Sequence, residues 1–137
     1  MNINLVFLLV AILASCAQDP IISRKVSLNE QFTIKAGQQV VIKGEKVSVQ
    51  FASVENESRC PTGVQCIWEG NAAISIEVSK KRKKSVQAIL NTNTTIQPNE
   101  LAYKKYRIKL LGLNPYPRMD EKIEPKDYEA VMIVTKD

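Results

Sequence analysis

The sequence predicts an all-β domain, a small antiparallel β-sandwich or partly open barrel of about seven strands. Apolar and polar residues alternate over several short segments, most cleanly in residues 72–79. A period of two residues is typical of strands that bury one face. Because no stretch has a convincing helical period, short strands joined by turns favour a sandwich or a barrel.

The alternating segments follow one another from residue 31 to the end of the chain. They lie at residues 31–35, 40–42, 47–54, 72–79, 86–90, 106–110 and 128–135. Residues 98–105 and 120–127 each have room for one helical turn, and residues 114–117 must leave any sheet because their two prolines cannot donate to a ladder. With neither a repeat nor a boundary visible, we expect residues 25–137 to form one domain.

The first residues predict export. Residues 3–13 are apolar except for Asn4, a run too short to cross about 30 Å of hydrocarbon as a helix. It fits the apolar region of a secretory signal, and the small residues Ala14 and Ser15 suit the cleavage site that follows. Residues 1–15 are therefore predicted to be a signal peptide.

Leu13-Ala14-Ser15-Cys16 resembles the lipobox of bacterial lipoproteins. The resemblance implies that Cys16 is fatty-acylated and becomes the first mature residue, so that residues 16–24 tether the domain to the membrane of the cell envelope. Ala17, which is not acidic, favours by the same resemblance the periplasmic side of the outer membrane. Residues 1–4 depart from the pattern because they contain no Lys or Arg. The alternative is an ordinary secreted protein in which Cys16 occurs by chance.

The cysteine loop, residues 57–71, contains the other two cysteines and the chain's single tryptophan. In an oxidising compartment Cys60 and Cys66 can form a disulfide. The third cysteine, Cys16, would then be left unpaired unless it carries a lipid. A metal site is disfavoured because the chain has no histidine, and a redox pair because five residues separate the two cysteines. We expect a structural disulfide that closes a loop between two strands, with Trp68 turned into the core.

The string Ser-Arg-Cys-Pro-x-Gly-x-x-Cys-x-Trp-x-Gly-Asn-Ala, at Ser58 to Ala72, resembles a group of small uncharacterised bacterial lipoproteins. A downstream Pro-Tyr-Pro at residues 115–117 and a Tyr-x-Ala at residues 128–130 are weaker parts of the same resemblance. The resemblance implies location and a single fold, and it carries no activity.

Catalytic chemistry finds little support in the residues. Without histidine, Ser-His-Asp and Cys-His arrangements are impossible. Glu55, Glu57 and Glu69 flank the ring that Cys60 and Cys66 would close, and two of them could form the carboxylate pair of a hydrolase, although surface carboxylates are the simpler interpretation. The acidic residues between 120 and 129 alternate with lysines and lack calcium-loop spacing. We therefore expect no enzyme, no metal and no cofactor.

Two features are candidate binding residues. The first is a basic run that equals the chain's net charge of +5 and is predicted to form a hairpin tip. Its members are Lys80, Lys81, Arg82, Lys83 and Lys84. A solvated turn is the simplest interpretation, but on a tethered domain the run could contact anionic headgroups or an acidic partner. The second is Tyr116, held between two prolines either as a contact residue or as a cap over the sandwich.

The function predicted from these features is a non-enzymatic binding or structural module of the cell envelope. An inhibitor of a protease or a lysozyme is an alternative, with residues 61–65 as the inhibitory wedge, and a carboxylate-dependent hydrolase is a second. We expect no nucleic-acid partner, because the protein is predicted to be exported and no aromatic residues interleave with the basic run.

Overall fold

The computed structural model describes residues 23–81 and 83–137, which form nine strands and no α-helix. The strands are β1 (Arg24–Val26), β2 (Gln31–Lys35), β3 (Gln39–Ile42), β4 (Val47–Glu57), β5 (Ala72–Lys80), β6 (Val86–Asn91), β7 (Glu100–Tyr103), β8 (Tyr106–Asn114) and β9 (Glu129–Lys136). A single 3-10 turn at Pro125–Asp127 precedes β9.

The strands form two sheets packed face to face. The first sheet has the order β1-β3-β4-β5-β6 and the second has the order β2-β9-β8-β7. The predicted all-β sandwich with a disulfide-closed loop is thus confirmed, with two open sheets in place of a barrel. Two details differ: there are nine strands, and β1 pairs with β3 in parallel. The parallel pair arises because the chain crosses to the second sheet as β2 between these two strands.

The two additional strands are β1 and β7. Each has only three or four residues, too few to show an alternation in the sequence. Residues 100–103 pair with β8 from Glu100↔Lys109 to Tyr103↔Tyr106, so the helical turn suggested for residues 98–105 does not form there.

The core lies between the sheets and follows the period of two. Ala72, Ile74, Ile76 and Val78 of β5 are fully buried, while the residues between them are half-buried on the outer face. From the second sheet, β9 buries every second residue in the same way. Burying a Val, Ile or Leu side chain contributes about 1.5–3 kcal/mol, so this alternating stripe is what stabilises the sandwich.

The hairpins give the sandwich two different ends. Residues 43–46, 81–85 and 104–105 join β3 to β4, β5 to β6 and β7 to β8 at one end, which we call the basic end. The cysteine loop, residues 92–99 and residues 115–128 make the opposite connections at what we call the loop end. Arg24 pairs with Val40, which pairs with Val49 near the start of β4, so the chain enters the fold closer to the basic end.

Several predictions fall on residues outside the described part of the chain. These are the signal peptide (1–15), the lipidation site Cys16, most of the tether and Arg82 of the basic run. Residues 23–81 and 83–137 contain no helix with the length and apolar character that crossing a bilayer requires.

Candidate functional site

The cysteine loop is held at its base, at its tip and from the side. Ser58 N–H donates to Asn71 O at 2.8 Å, and Cys60 N–H donates to Glu69 O at 2.9 Å, so the two legs continue the pairing of β4 with β5. Cys60 and Cys66 form the predicted disulfide, with Cα atoms 6.0 Å apart. The loop that leaves the sandwich is therefore a braced structure.

Lateral support comes from the segment that carries the Pro-Tyr-Pro motif. Thr62 N–H donates to Pro117 O at 2.9 Å, and Thr62 also forms an isolated bridge with Arg118. The two loops consequently present one surface.

Gly70 allows the two legs of the loop to approach. Its backbone is left-handed with φ +77°, and a Cβ atom built there would lie 2.0 Å from the carbonyl oxygen of Ser58. Any side chain at position 70 would push the legs apart, which explains the glycine after Trp68-Glu69 in the loop motif.

A network of asparagine side chains attaches residues 92–99 to the same base. Asn71 Nδ2 donates to Asn91 Oδ1 at 2.8 Å, and Asn93 Nδ2 donates to Gly70 O at 2.9 Å. Asn91 Nδ2 in turn donates to Pro98 O at 3.0 Å. Asn91 and Asn93 are buried, and these bonds satisfy amides that would otherwise be costly to bury.

Arg59 connects the cysteine loop to the end of β8. Its guanidinium is buried and donates to both carboxylate oxygens of Glu57, from Nε at 2.9 Å and from Nη2 at 2.6 Å. The same group donates to Leu113 O at 2.6 Å and to Pro115 O at 3.1 Å. Such bidentate pairing is the geometry for which arginine is suited and lysine is not.

The pKa of Glu57 reflects this pairing. Burial by itself would raise the pKa of its carboxyl, but the hydrogen bonds and charge of Arg59 outweigh burial and hold the pKa below the ordinary value of 4.5. The hydroxyl of Tyr128 also donates to Glu57, at 3.2 Å. Glu57 is thus part of a structural ion pair.

Tyr116 packs on the other side of Arg59. The guanidinium carbon lies 4.9 Å from the ring centroid, a cation–π contact, and 47% of the tyrosine remains exposed. The prolines and Arg59 together fix the orientation of a half-exposed aromatic ring beside the cysteine loop.

The expectation that Trp68 turns into the core is wrong: 55% of this residue is exposed. The physical reason is that β5 begins only at Ala72, so Trp68 lies beyond the end of the sandwich, where no core is within reach. Ile67 is fully exposed and Met119, on the neighbouring loop, is 75% exposed. The loop end therefore displays large apolar side chains on a braced frame.

A depression of about 430 Å³ lies beside these residues at the loop end. Arg59, Glu69, Asn93 and Tyr116 contribute to its lining. Glu69 is exposed, as expected, and it is the one carboxylate of that lining. Within the described residues, no three ligating side chains come together as they would around a metal ion.

The described residues of the basic run lie at a hairpin tip between β5 and β6, as predicted. Lys80 ends β5 with its Nζ 5.7 Å from the ring centroid of Tyr106, while Lys81, Lys83 and Lys84 are exposed. Lys81 N–H donates to Lys46 O at 3.0 Å, which joins this turn to the turn between β3 and β4. The run is therefore one part of a larger basic surface, and it lies at the opposite end from Tyr116.

Sequence reasoning missed the Glu57–Arg59 pair and the exposure of Ile67 and Met119. A signal for the ion pair was present, because residues two apart in an extended chain point to the same side. For Ile67 and Met119 the sequence carried no clear signal, since their exposure depends on where the sandwich ends.

Comparison with known protein families, curated proteins and solved structures finds no match for this chain. Its function must therefore be inferred from the residues and their geometry.

Proposed function

We propose that the protein is a lipoprotein of the bacterial cell envelope, anchored through Cys16, whose folded part is a non-enzymatic binding module. The lipobox-like residues 13–16 and the apolar segment before them support the anchor. The loop end supports the binding role, and we propose that it contacts a protein partner.

The observation that carries this proposal is the exposure of Ile67, Trp68 and Met119 on loops that are braced by a disulfide and by hydrogen bonds. Apolar surface removed from water contributes about 25 cal/mol per Å². Large aromatic side chains in particular provide much of the binding energy at protein interfaces. Because the frame is already ordered, binding would lose little conformational entropy.

The chemistry of the loop end favours binding over hydrolysis. A glycosidase-type mechanism needs two facing carboxylates, and Glu57 is occupied by Arg59 and Tyr128. Among the described residues that line the depression at the loop end, Glu69 is accompanied by an arginine, an asparagine and a tyrosine and by no second carboxylate.

A capture experiment with matched variants tests the binding role. The Cys16→Ser chain, which cannot be acylated, is used as bait in envelope extracts and compared with the same chain carrying Ile67→Ser and Trp68→Ser. Ile89→Ser is the control, because Ile89 is 44% exposed but lies on β6, away from the loops. We expect the loop variant to lose at least about tenfold in affinity for the captured partner and the control to retain it. Equal affinity of all three chains would contradict the proposal.

The anchor has its own test. Mass spectrometry of the mature N-terminus should find Cys16 with diacylglyceryl and acyl groups attached. An unmodified Cys16 on material isolated from membranes would remove the anchor without affecting the binding role.

A second candidate is an inhibitor of a protease or lysozyme, favoured by the exposure of residues 62–65 inside the disulfide ring. Replacing residues 62–65 with a Gly-Ser sequence of equal length, with both cysteines kept, should abolish inhibition if these residues enter an active site. If the purified protein inhibits no protease or lysozyme at micromolar concentration, this candidate is excluded.

A further inference from the structure

Three hairpin turns at the basic end each place a lysine in the left-handed region of backbone space. These are Lys46 with φ 56°, Lys81 with φ 52° and Lys104 with φ 53°. Glycine and asparagine adopt this conformation with less strain than lysine does. With lysine at all three positions, each turn contains a residue in a backbone conformation that is unfavourable for it. The three turns together place additional positive charge at one end of the molecule.

The three turns lie together although they come from both sheets. Lys81 N–H donates to Lys46 O within the first sheet. Tyr106, which directly follows the turn at residues 104–105 of the second sheet, donates to Glu45 of the turn at residues 43–46, and Lys80 Nζ lies 5.7 Å from its ring centroid, so the turn of the second sheet approaches the basic run. Partial desolvation, followed by the nearby ammonium groups of Lys83 and Lys80, accordingly lowers the pKa of Lys104 from its ordinary value. The cations therefore extend across the whole end of the sandwich.

Two carboxylates near this end, Glu45 and Asp137, are already engaged. Glu45 accepts hydrogen bonds from Tyr106 at 2.5 Å and from Lys136 at 3.1 Å. Asp137 pairs with Arg107 at 3.3 Å.

At the loop end, by contrast, arginines are matched with acids. Arg59 pairs with Glu57, and Arg118 lies within 4 Å of two acidic residues, at 3.9 Å from Asp120 and 3.8 Å from Glu121. The excess positive charge is thus concentrated at the basic end.

The position of the N-terminal chain gives this surface an occupant. The chain enters β1 at Arg24, only two residues before β1 ends at Val26 beside the turn at residues 43–46. About eight residues separate Arg24 from Cys16, so even a fully extended chain could place the domain no more than roughly 30 Å from the anchor. This step rests on the proposed anchor: a domain tethered so closely can bring its basic end to the headgroup layer. Exposed cations on several turns match a layer of phosphates better than they match a single bound phosphate.

We infer that the basic end binds the anionic, phosphate-bearing surface of the membrane, with Lys46, Lys81 and Lys104 as its central contacts. The loop end then points away from the bilayer, where its apolar residues are accessible to a partner.

Vesicle binding tests this inference directly. The Cys16→Ser chain is sedimented with two kinds of vesicle, one of phosphatidylcholine alone and one that also contains phosphatidylglycerol. Any affinity of the apolar residues 3–13 for lipid contributes equally to binding of the two kinds of vesicle. Each cation near a charged surface is worth about fivefold in binding. The triple variant Lys46→Asn, Lys81→Asn and Lys104→Asn should therefore lose on the order of a hundredfold in affinity for the anionic vesicles. Raising the salt concentration should reduce binding of the parent chain in the same direction.

A matched control separates local charge from net charge. Lys35→Asn, Lys109→Asn and Lys126→Asn remove the same charge from exposed positions outside the basic end, and this control should bind nearly as the parent does. Asparagine suits the left-handed turns, so the test variant should melt no lower than the parent, which excludes misfolding as the cause of lost binding.

Three outcomes would overturn the inference. The first is equal binding of the parent chain to both kinds of vesicle, and the second is equal loss in the test and control variants. The third is full competition by inorganic phosphate at constant ionic strength, which would indicate a discrete phosphate site. None of these outcomes depends on acylation of Cys16, so failure of the anchor and failure of the basic surface can be told apart.

Discussion

Replacing Arg59 with methionine should destabilise the domain more than replacing any exposed cation. Methionine keeps most of the aliphatic stem but removes the donors to Glu57, Leu113 and Pro115. The change leaves a carboxylate whose side chain is only 22% exposed without its cation. It also leaves the carbonyl oxygen of Leu113 without this donor.

The magnitude follows from these losses. Breaking a buried ion pair by removing one partner costs about 3–5 kcal/mol, and partial exposure of Glu57 places this case near the lower value. The lost bond to Leu113 O adds about 1 kcal/mol. Arg59→Met should therefore reduce the free energy of unfolding by about 4 kcal/mol. Glu57→Gln leaves the guanidinium of Arg59 buried without its anion but keeps an acceptor for it, so this change should cost about 3 kcal/mol.

The double variant Glu57→Gln/Arg59→Met tests whether the pair is coupled. Because it removes both charges, its loss should be smaller than the sum of the single losses by about 2 kcal/mol. Urea unfolding followed by far-ultraviolet circular dichroism measures all four chains; Trp68 is too exposed to report on the core. Additive losses, with a coupling energy below about 0.5 kcal/mol, would refute the reasoning.

The same pair should make stability depend on pH. The pKa of Glu57 is lower in the folded protein than its ordinary value of 4.5, so its contribution to stability is complete above about pH 4.5 and is lost as the pH falls through the folded-state pKa. The urea midpoint of Glu57→Gln should accordingly fall less on acidification than that of the parent chain.

Three further predictions concern the frame of the molecule. Gly70→Ala should cost at least about 3 kcal/mol in urea unfolding, whereas Gly37→Ala, with φ +85° and open space around it, should cost only about 1–2 kcal/mol; similar costs would contradict the close approach at Gly70. Reducing the disulfide, whose ring spans seven residues, should lower the free energy of unfolding by about 2 kcal/mol, and an unchanged melting curve would contradict its structural role. Glu45 raises the pKa of Tyr106 from 10.0 to about 12, so stability should fall as the pH rises from 10 to 12. Tyr106→Phe should remove that slope, and phenolate absorbance provides the titration.

The sequence predicted those strands in which burial imposes a period of two. In β5, β8 and β9 one face meets the opposing sheet, so the alternation of apolar and polar residues is required by packing and visible without a structure. Very short strands such as β1 give no such signal, and their pairing is decided by the rest of the fold.

The candidate site was only partly predictable, for a physical reason that Trp68 illustrates. Hydrophobicity indicates which side chains gain from burial, but only the backbone path determines which of them can reach the core. Here Gly70 turns the chain before β5 begins, and the tryptophan stays outside. Contacts across long stretches of sequence are hidden in the same way: nothing in the spacing links Arg59 to Leu113 or Pro115.

The difference between the basic end and the loop end can nevertheless be predicted from the order of the turns along the sequence. In an antiparallel meander, successive turns lie at opposite ends of the strands. Two turns that are separated by one other turn therefore lie at the same end. Residues 43–46, 81–85 and 104–105 are alternate turns and are rich in lysine, whereas the turns between them contain asparagine, proline and exposed apolar residues. Each lysine-containing turn by itself is an ordinary solvated hairpin tip. Because these turns alternate with the others along the chain, however, their charges accumulate on one surface. The same alternation directs the cysteine loop to the far side, so that separating the end proposed to face the membrane from the end proposed to face a partner requires only a choice of turn residues.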